Sequence, residues 1–219
     1  SAGRGAADLA ALHAPVARFV AETLGAGRRP VSLAGDCCAA LPVVAGMQAA
    51  GVPPRIVWID AHGDFNTAET SPSQFLGGMP LAMLTGRGPQ WMMAGAGAAP
   101  VPDGAVALLD ARDLDPGEAQ ALADSGVAHR HLAEAAEAAT GDAPLLVHVD
   151  LDVVDAGEMP AFRYPVAGGP SLAETVTAMR ALAATGRVAA VSVSGWEGAR
   201  DTDGTTARGA ARILAALLG

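Results

Sequence analysis

The 219-residue sequence has only two cysteines, Cys37 and Cys38, and they are adjacent. Two neighbouring thiols without a distant partner argue against a disulfide framework, so we expect the protein to work in the reducing cytoplasm. The sequence also lacks an apolar run of eighteen residues and a basic segment followed by an apolar stretch. It therefore shows neither a membrane span nor a signal peptide.

Positive charge is scarce as well, because 14 basic residues stand against 23 acidic ones and the formal net charge is −9. A chain with this balance lacks the basic surface by which proteins bind nucleic acids or acidic membranes. The balance mildly favours a cationic or zwitterionic small ligand, but charge alone does not select one.

Hydrophobic residues make up 51% of the sequence, enough to bury the core of one domain. We expect a single domain over residues 1–219. Since the sequence begins at Ser1 rather than at a methionine, we also expect that some N-terminal residues of the natural protein are missing.

Segments with helical spacing alternate with short apolar runs along the chain. The predicted helices span residues 6–24, 39–50, 79–84, 118–123, 131–139, 172–184 and 206–218. The predicted strands span residues 31–34, 55–59, 92–94, 106–109, 145–149 and 188–193. This alternation indicates a three-layer α/β/α fold with a mainly parallel central sheet. In such sheets ligands bind beyond the carboxyl ends of the strands.

Two acidic clusters follow predicted strands. Asp60, His62 and Asp64 alternate after the predicted strand 55–59, and Asp150 and Asp152 follow the predicted strand 145–149. Because successive residues of an extended segment point to opposite sides, the members of each cluster share one side. Carboxylates with one imidazole suit Mn²⁺, and a metal pair needs bridging carboxylates. Either cluster alone is also compatible with helix caps, but together they predict a two-metal hydrolytic centre.

These motifs resemble those of the ureohydrolase family, which includes arginases and agmatinases. The resemblance extends from about residue 30 to the C-terminus. Within the family, the segments 65–70, 75–79 and 150–153 are most similar to the branch that includes the hydroxyarginine hydrolase of D-cycloserine biosynthesis. The resemblance implies an arginase-like fold, a homo-oligomer, and hydrolysis of a small guanidino substrate by a binuclear metal-dependent amidinohydrolase.

The resemblance also implies how two Mn²⁺ ions would bind. Asp60 and Asp150 would bridge them, Asp64 would complete the shell of one ion, and His62 and Asp152 that of the other. The metal pair would activate water for attack on the guanidinium carbon. Asp64 would pass a proton to the departing amine, which releases urea or a substituted urea.

Residue 37 departs from the family pattern, in which a histidine ligand stands at this position. Since a thiolate prefers softer ions, Cys37 should weaken Mn²⁺ at one site or shift the preference toward zinc or iron. The alternative is that Cys37 is a small buried residue that binds no metal. The hydroxyarginine-hydrolase branch resembles this chain in carrying a cysteine here. This favours a site that tolerates the cysteine over an enzyme that the cysteine inactivates.

Two further departures lie near the expected chemistry. Gly77 stands where the family has a proton-shuttling histidine, and Gly195 stands where it has a glutamate that binds the guanidinium group. Glu197 has the same strand parity as Gly195 and is the candidate catalytic replacement for that glutamate. The alternative is a surface carboxylate in a glycine-rich turn.

Four positions that match amino-acid-binding residues of arginases are kept. The resemblance assigns Asn66 and Ser73 to the α-carboxylate of the substrate, and Asp115 and Glu118 to the surroundings of its α-amino group. A carboxylate can recognise an ammonium group by charge-assisted hydrogen bonding. Asp115 and Glu118 also read as a capping box with Pro116 at the first helical position, and the two interpretations are compatible.

The leading hypothesis is therefore hydrolysis of an arginine-like guanidino compound, with N-hydroxyarginine as a candidate. Cys37, Gly77 and Gly195 support an alternative, a catalytically impaired relative that serves as a binding or oligomeric partner. A deacetylase-like hydrolase with one zinc ion is a third possibility. It is disfavoured by the Asp150 and Asp152 pair, which indicates two ions.

Overall fold

The computed structural model describes the backbone of residues 2–219, and the side chains of these residues apart from 2–6 and 9. The helices are α1 (Ala2–Gly25), α2 (Ala40–Ala49), α3 (Pro80–Leu84), α4 (Gln90–Ala96), α5 (Pro116–Ala123), α6 (Ala135–Ala138), α7 (Leu172–Ala184) and α8 (Thr205–Leu218). The strands are β1 (Val31–Leu33), β2 (Arg55–His62), β3 (Val106–Asp113), β4 (Ala128–Arg130), β5 (Leu145–Asp150) and β6 (Val188–Ser194).

The six strands form one parallel sheet in the order β1-β6-β5-β2-β3-β4. The central strand β2 is apolar on both faces, as expected for a sheet covered on both sides. Ile56 and Trp58 pack into a core formed with α1 to α5. Val57 and Ile59 pack into a second core formed with α6 to α8. The three-layer α/β/α prediction is therefore confirmed.

One predicted element is wrong and one was missed. Residues 92–94 form part of α4 rather than a strand, and Met92, Met93 and Ala96 bury one side of that helix. A short apolar run fits a buried helix turn as well as a strand, so periodicity could not separate them. The sequence pattern did not predict the edge strand β4, because Ala128–Arg130 is three residues long and mostly exposed.

The carboxyl ends of the strands bring distant segments together. Asp150 at the end of β5 lies opposite Ser194 at the end of β6. Asp60 near the end of β2 lies opposite Asp110 of β3. The acidic clusters therefore meet at one edge of the sheet, where ligands bind in parallel α/β folds. No helix within residues 2–219 has the length and hydropathy needed to cross a bilayer.

The long segment between β5 and α7 is tied to the sheet by Arg112 of β3. Its guanidinium group donates to the carbonyl oxygens of Asp152 at 3.3 Å and Val153 at 3.1 Å. It also donates to those of Val166 at 2.8 Å and Ala167 at 3.2 Å. One half-buried side chain thereby joins two parts of a segment that borders the site.

Candidate metal centre

The six residues predicted to bind metal line a single cavity of about 830 Å³ at the carboxyl edge of the sheet. They are Cys37, Asp60, His62, Asp64, Asp150 and Asp152. Each lies at or near the carboxyl end of a strand. Cys37 begins the 3₁₀ turn after β1, Asp150 ends β5, and Asp64 lies two residues beyond the end of β2.

His62 lies between carboxylates from the two clusters. Its Nδ1 atom is 3.3 Å from Oδ1 of Asp60 and 3.2 Å from Oδ2 of Asp152. Burial lowers the pKa of His62, but hydrogen bonds to Asp152 and Asp60 outweigh this effect and raise it to about 11. The protonated imidazole thus supplies a positive charge between two buried acids.

Cys37 faces the other side of the same cluster. Its Sγ atom is 3.0 Å from Oδ2 of Asp150 and 3.7 Å from Oδ2 of Asp60. Oγ of Ser194 lies 3.1 Å from the sulfur and donates to Oδ2 of Asp150 at 3.0 Å. Burial raises the pKa of the thiol, and the negative charges of Asp64, Asp150 and Asp60 raise it further.

The four carboxylates are buried without an arginine among them. Asp60, Asp64, Asp150 and Asp152 are 1%, 4%, 6% and 5% exposed, respectively. Burial and the neighbouring charge of Asp152 raise the pKa of Asp150 to about 7, and burial and the charge of Asp60 raise that of Asp152 to about 6. Burial also raises the pKa of Asp60 and, more strongly, that of Asp64. Buried acids of this kind are destabilised when ionised unless a cation compensates them.

Two observations show that the donor set fits a pair of divalent ions. Oδ2 of Asp64 is buried and has no hydrogen-bond partner among the described residues. In addition, potential ligand atoms of Asp60, His62 and Asp152 lie within 4.8 Å of one another, and Asp60 also belongs to a second such group with Cys37 and His148. A carboxylate shared by two groups is the feature that a bridged metal pair requires.

His148 belongs to one of these groups by distance but is engaged elsewhere. Its ring stacks on Trp58 with centroids 3.7 Å apart. Nδ1 lies 3.1 Å from Oγ of Ser192, and Nε2 lies 3.4 Å from Oγ of Ser194. Burial lowers the pKa of His148 to about 3. His148 is therefore a packed, hydrogen-bonded core residue.

The two glycines that depart from the family pattern leave no room for larger side chains. A Cβ atom at Gly77 would lie 2.4 Å from Cε1 of Phe75. Gly195 has a φ of +88°, and a Cβ atom there would lie 2.0 Å from Oδ1 of Asp150. The ring of Phe75 and the carboxylate of Asp150 thus occupy the space next to these glycines.

Glu197 lines the cavity but is already paired. Its Oε2 atom lies 2.7 Å from Nε of Arg200, and both side chains are substantially exposed. This ion pair partly neutralises the carboxylate that we expected to replace the glutamate of the family.

The four expected substrate-binding residues also line the cavity. Asn66 donates through Nδ2 to Oδ2 of Asp115 at 3.0 Å, which fixes both side chains. Ser73 accepts a hydrogen bond from the backbone N–H of Phe75 at 3.2 Å. Glu118 is 3% exposed, and its oxygens accept from the backbone N–H groups of Phe65 and Asp115 at 2.8 and 3.2 Å. The capping function of Glu118 is therefore present, and it also supports the backbone next to Asp64.

The cavity has further residues that we did not single out from the sequence. Ser194 contacts both Cys37 and Asp150, and its position at the end of a predicted strand was a usable signal. Arg163, Tyr164 and Trp196 form part of the rim. They lie in irregular segments without periodicity, so no sequence pattern pointed to them.

Comparison with known proteins agrees with this geometry. Residues 5–219 match the Arginase family. The chain is 32% identical to arginase of Bacillus caldovelox over 77% of its own length and 61% of the relative. It is 40% identical to N(omega)-hydroxy-L-arginine amidinohydrolase of Streptomyces lavendulae over 56% of its own length and 44% of the relative. The chain thus matches less than two thirds of the length of either relative.

The solved structures give the same result. The crystal structure of arginase from Bacillus subtilis superposes with a TM-score of 0.87 at 29% identity, covering 96% of this chain and 78% of that one. Together, the family match over residues 5–219 and this superposition show that the chain belongs to the arginase family.

Proposed function

We propose that the protein hydrolyses the guanidino group of an arginine-like substrate and releases urea or a substituted urea, with N-hydroxyarginine as a candidate. The observation that carries the proposal is the convergence of four buried carboxylates, His62 and Cys37 on one cavity. The similarity to an N(omega)-hydroxy-L-arginine amidinohydrolase supports the candidate substrate.

The family uses a binuclear metal centre, typically with Mn²⁺. In this chain Asp60, His62, Asp64, Asp150 and Asp152 would hold the two ions together with Cys37. When bound, the ions would supply positive charge that lowers the pKa of water and stabilises charge developing on the substrate.

Asp64 is the proposed proton carrier. Its buried Oδ2 atom lacks a partner among the described residues and is free to accept a proton from the attacking water. The same oxygen can then deliver the proton to the departing nitrogen, as a general base that turns general acid. The hydrogen bond from Phe65 N–H to Glu118 holds the backbone beside Asp64 in place.

The remaining polar residues would orient the substrate. Asn66 and Ser73 are the proposed partners of its α-carboxylate, and Asp115 and Glu118 lie where its α-amino group would bind. Both carboxylate oxygens of Glu118 accept backbone N–H groups, whereas Asn66 binds only one oxygen of Asp115. Asp115 is therefore the better placed of the two acids to contact the α-amino group. Glu197 would contact the guanidinium group in competition with Arg200.

The test is a metal and substrate panel. Purified protein is loaded separately with Mn²⁺, Zn²⁺ and Fe²⁺, the metal content per chain is measured, and urea and hydroxyurea are quantified from arginine, N-hydroxyarginine and agmatine. We expect two ions per chain and turnover that Asp64→Asn abolishes while metal binding is partly kept. Two bound ions without turnover of any compound would contradict the proposal.

The departures at Cys37, Gly77 and Gly195 support a second candidate, an impaired relative with a binding or oligomeric function. It predicts the same fold with little metal and no product.

Two further expectations have their own tests. Light scattering on the same samples measures the homo-oligomer that the family resemblance implies, and fractionation of cells measures the proposed cytoplasmic location.

A further inference from the structure

We propose that Arg163 is a specificity-determining residue that binds an anionic group at the end of the substrate remote from the guanidino group. The inference rests on the proposed function and narrows the substrate class to guanidino compounds that carry a carboxylate. The inference is based on the residues at the rim of the cavity, where Arg163 lies with Phe75 and Tyr164.

The aromatic rings hold the guanidinium group of Arg163. Its Cζ atom lies 6.0 Å from the ring centroid of Phe75 and 5.5 Å from that of Tyr164. The two ring centroids are 5.6 Å apart, and the planes are inclined by 57°. Cation–π contacts at these distances do not use the N–H groups as hydrogen-bond donors to an acceptor atom, so those groups remain available to a ligand.

Arg163 has no competing acid. Within the described part of the chain, it makes no ion pair and no side-chain hydrogen bond. Two other arginines near the site are engaged: Arg200 pairs with Glu197 and Arg112 binds Asp110 and backbone carbonyls. An arginine left unpaired at the rim of an acidic cavity is therefore available to a ligand.

The charge of the cavity makes this position selective. The chain contains no lysine, and Arg163 is the only arginine among the described residues that line the cavity. Nine of those residues are aspartates or glutamates. A negatively charged group on a substrate would be repelled by most of the wall and attracted at Arg163, which fixes the end of the substrate that faces the rim.

The segment that carries Arg163 is anchored on both sides. Phe162 forms an antiparallel bridge with Trp196, and the N–H of Glu197 donates to the carbonyl oxygen of Ala161 at 2.9 Å. On the other side, Arg112 holds the carbonyl oxygen of Val166. The guanidinium group is thus presented from a supported position, which lowers the entropic cost of binding.

A carboxylate is the anion that best fits this arrangement. Its two oxygens match the fork of a guanidinium group, while the aromatic faces contact the methylene chain between the two ends of the substrate. Asn66 and Ser73 can add neutral hydrogen bonds but no charge. Arg163 therefore supplies the charge that separates a carboxylate-bearing compound from one without it.

The test compares arginine with agmatine, which differ by that carboxylate. In Arg163→Gln we expect KM for arginine to rise at least about tenfold, with kcat and the KM for agmatine changed less than about twofold. Arg163→Lys should restore part of the affinity for arginine. Arg180→Gln, which removes an exposed charge from α7, is the matched control and should behave as the wild type. Equal changes for both compounds would overturn the inference.

Binding measurements separate this inference from the proposed function. If the wild-type protein turns over none of arginine, N-hydroxyarginine and agmatine, the proposed function fails, and calorimetry of arginine and agmatine binding to the metal-loaded protein tests Arg163 directly. Tighter binding of arginine that Arg163→Gln removes supports the inference. Equal binding of both compounds by the wild-type protein refutes it.

Discussion

Replacement of Gly195 by alanine should disrupt the candidate metal centre. The added Cβ atom would lie 2.0 Å from Oδ1 and 2.8 Å from Cγ of Asp150, so the carboxylate must move by more than 1 Å to reach normal contact. Asp150 cannot move freely, because Cys37 Sγ and Ser194 Oγ hold its Oδ2 atom at 3.0 Å and the N–H of Asp152 donates to Oδ1 at 3.1 Å.

Two costs add up in this variant. A φ of +88° at Gly195 is one that L side chains rarely adopt, and holding alanine there costs about 1–2 kcal/mol. Weakening a hydrogen bond to a charged group costs about 1.5–3 kcal/mol. We therefore expect the free energy of unfolding to fall by about 2.5–5 kcal/mol. Metal affinity should fall at least about tenfold, because Asp150 leaves its position.

The assay is denaturant unfolding with and without metal, together with metal titration. Gly198→Ala is the control in the same segment, because its Cβ atom would lie 3.5 Å from the nearest atom, on Trp196. It should change stability by less than about 0.5 kcal/mol. The reasoning is wrong if Gly195→Ala binds metal as the wild type does and unfolds with the same free energy. Gly195→Glu should also fail to create arginase-like activity, because the glutamate meets the same carboxylate.

Three further predictions concern stability and metal choice. Gly46→Ala should lower the free energy of unfolding by about 1–3 kcal/mol, because a Cβ atom there would lie 2.5 Å from Cβ of Val20 and push α1 from α2. Asp103→Asn should lower it by about 1 kcal/mol, since Arg87 binds both carboxylate oxygens at 2.7 Å. Hydrogen bonds from Arg87 lower the pKa of Asp103, so this difference should persist above about pH 4 and vanish as pH falls through the lowered pKa. Cys37→Ser should weaken Zn²⁺ more than Mn²⁺ in a competition titration, because only the softer ion gains from the thiolate.

Each of these variants has a control or an opposing outcome. Gly104→Ala adds a methyl group where no atom lies within 4 Å, and thermal denaturation should separate it from Gly46→Ala. A stability difference between Asp103→Asn and wild type that grows on acidification would contradict the proposed ion pair. Cys38→Ser is the neighbouring control for the thiol, and an equal loss of both metals in Cys37→Ser would show that the sulfur does not select between them.

Local pattern was sufficient to predict the layers of the fold and to single out residues that the structure brings to one cavity. Apolar runs such as 55–59 and 145–149 predicted buried strands, and strand parity predicted that Asp60 and His62 share one side. Asp64 lies beyond the end of β2 with a φ of +49°, so its position in the cavity depends on the turn rather than on strand parity. These inferences worked because the side-chain direction in a strand depends only on neighbouring residues. The same reasoning misassigned residues 92–94, since three apolar residues fit a helix turn and a strand equally well.

Contacts between distant segments were decided by the tertiary structure. Arg200 neutralises Glu197, and the carboxylate of Asp150 fills the space at Gly195. Arg163 reaches the rim because its segment pairs with Trp196 across the mouth of the cavity. Such contacts depend on how loops are placed by the packed layers beneath them. Since loop placement has no repeating pattern along the chain, the sequence pointed to the predicted metal-binding residues but not to the residue that we propose selects the substrate.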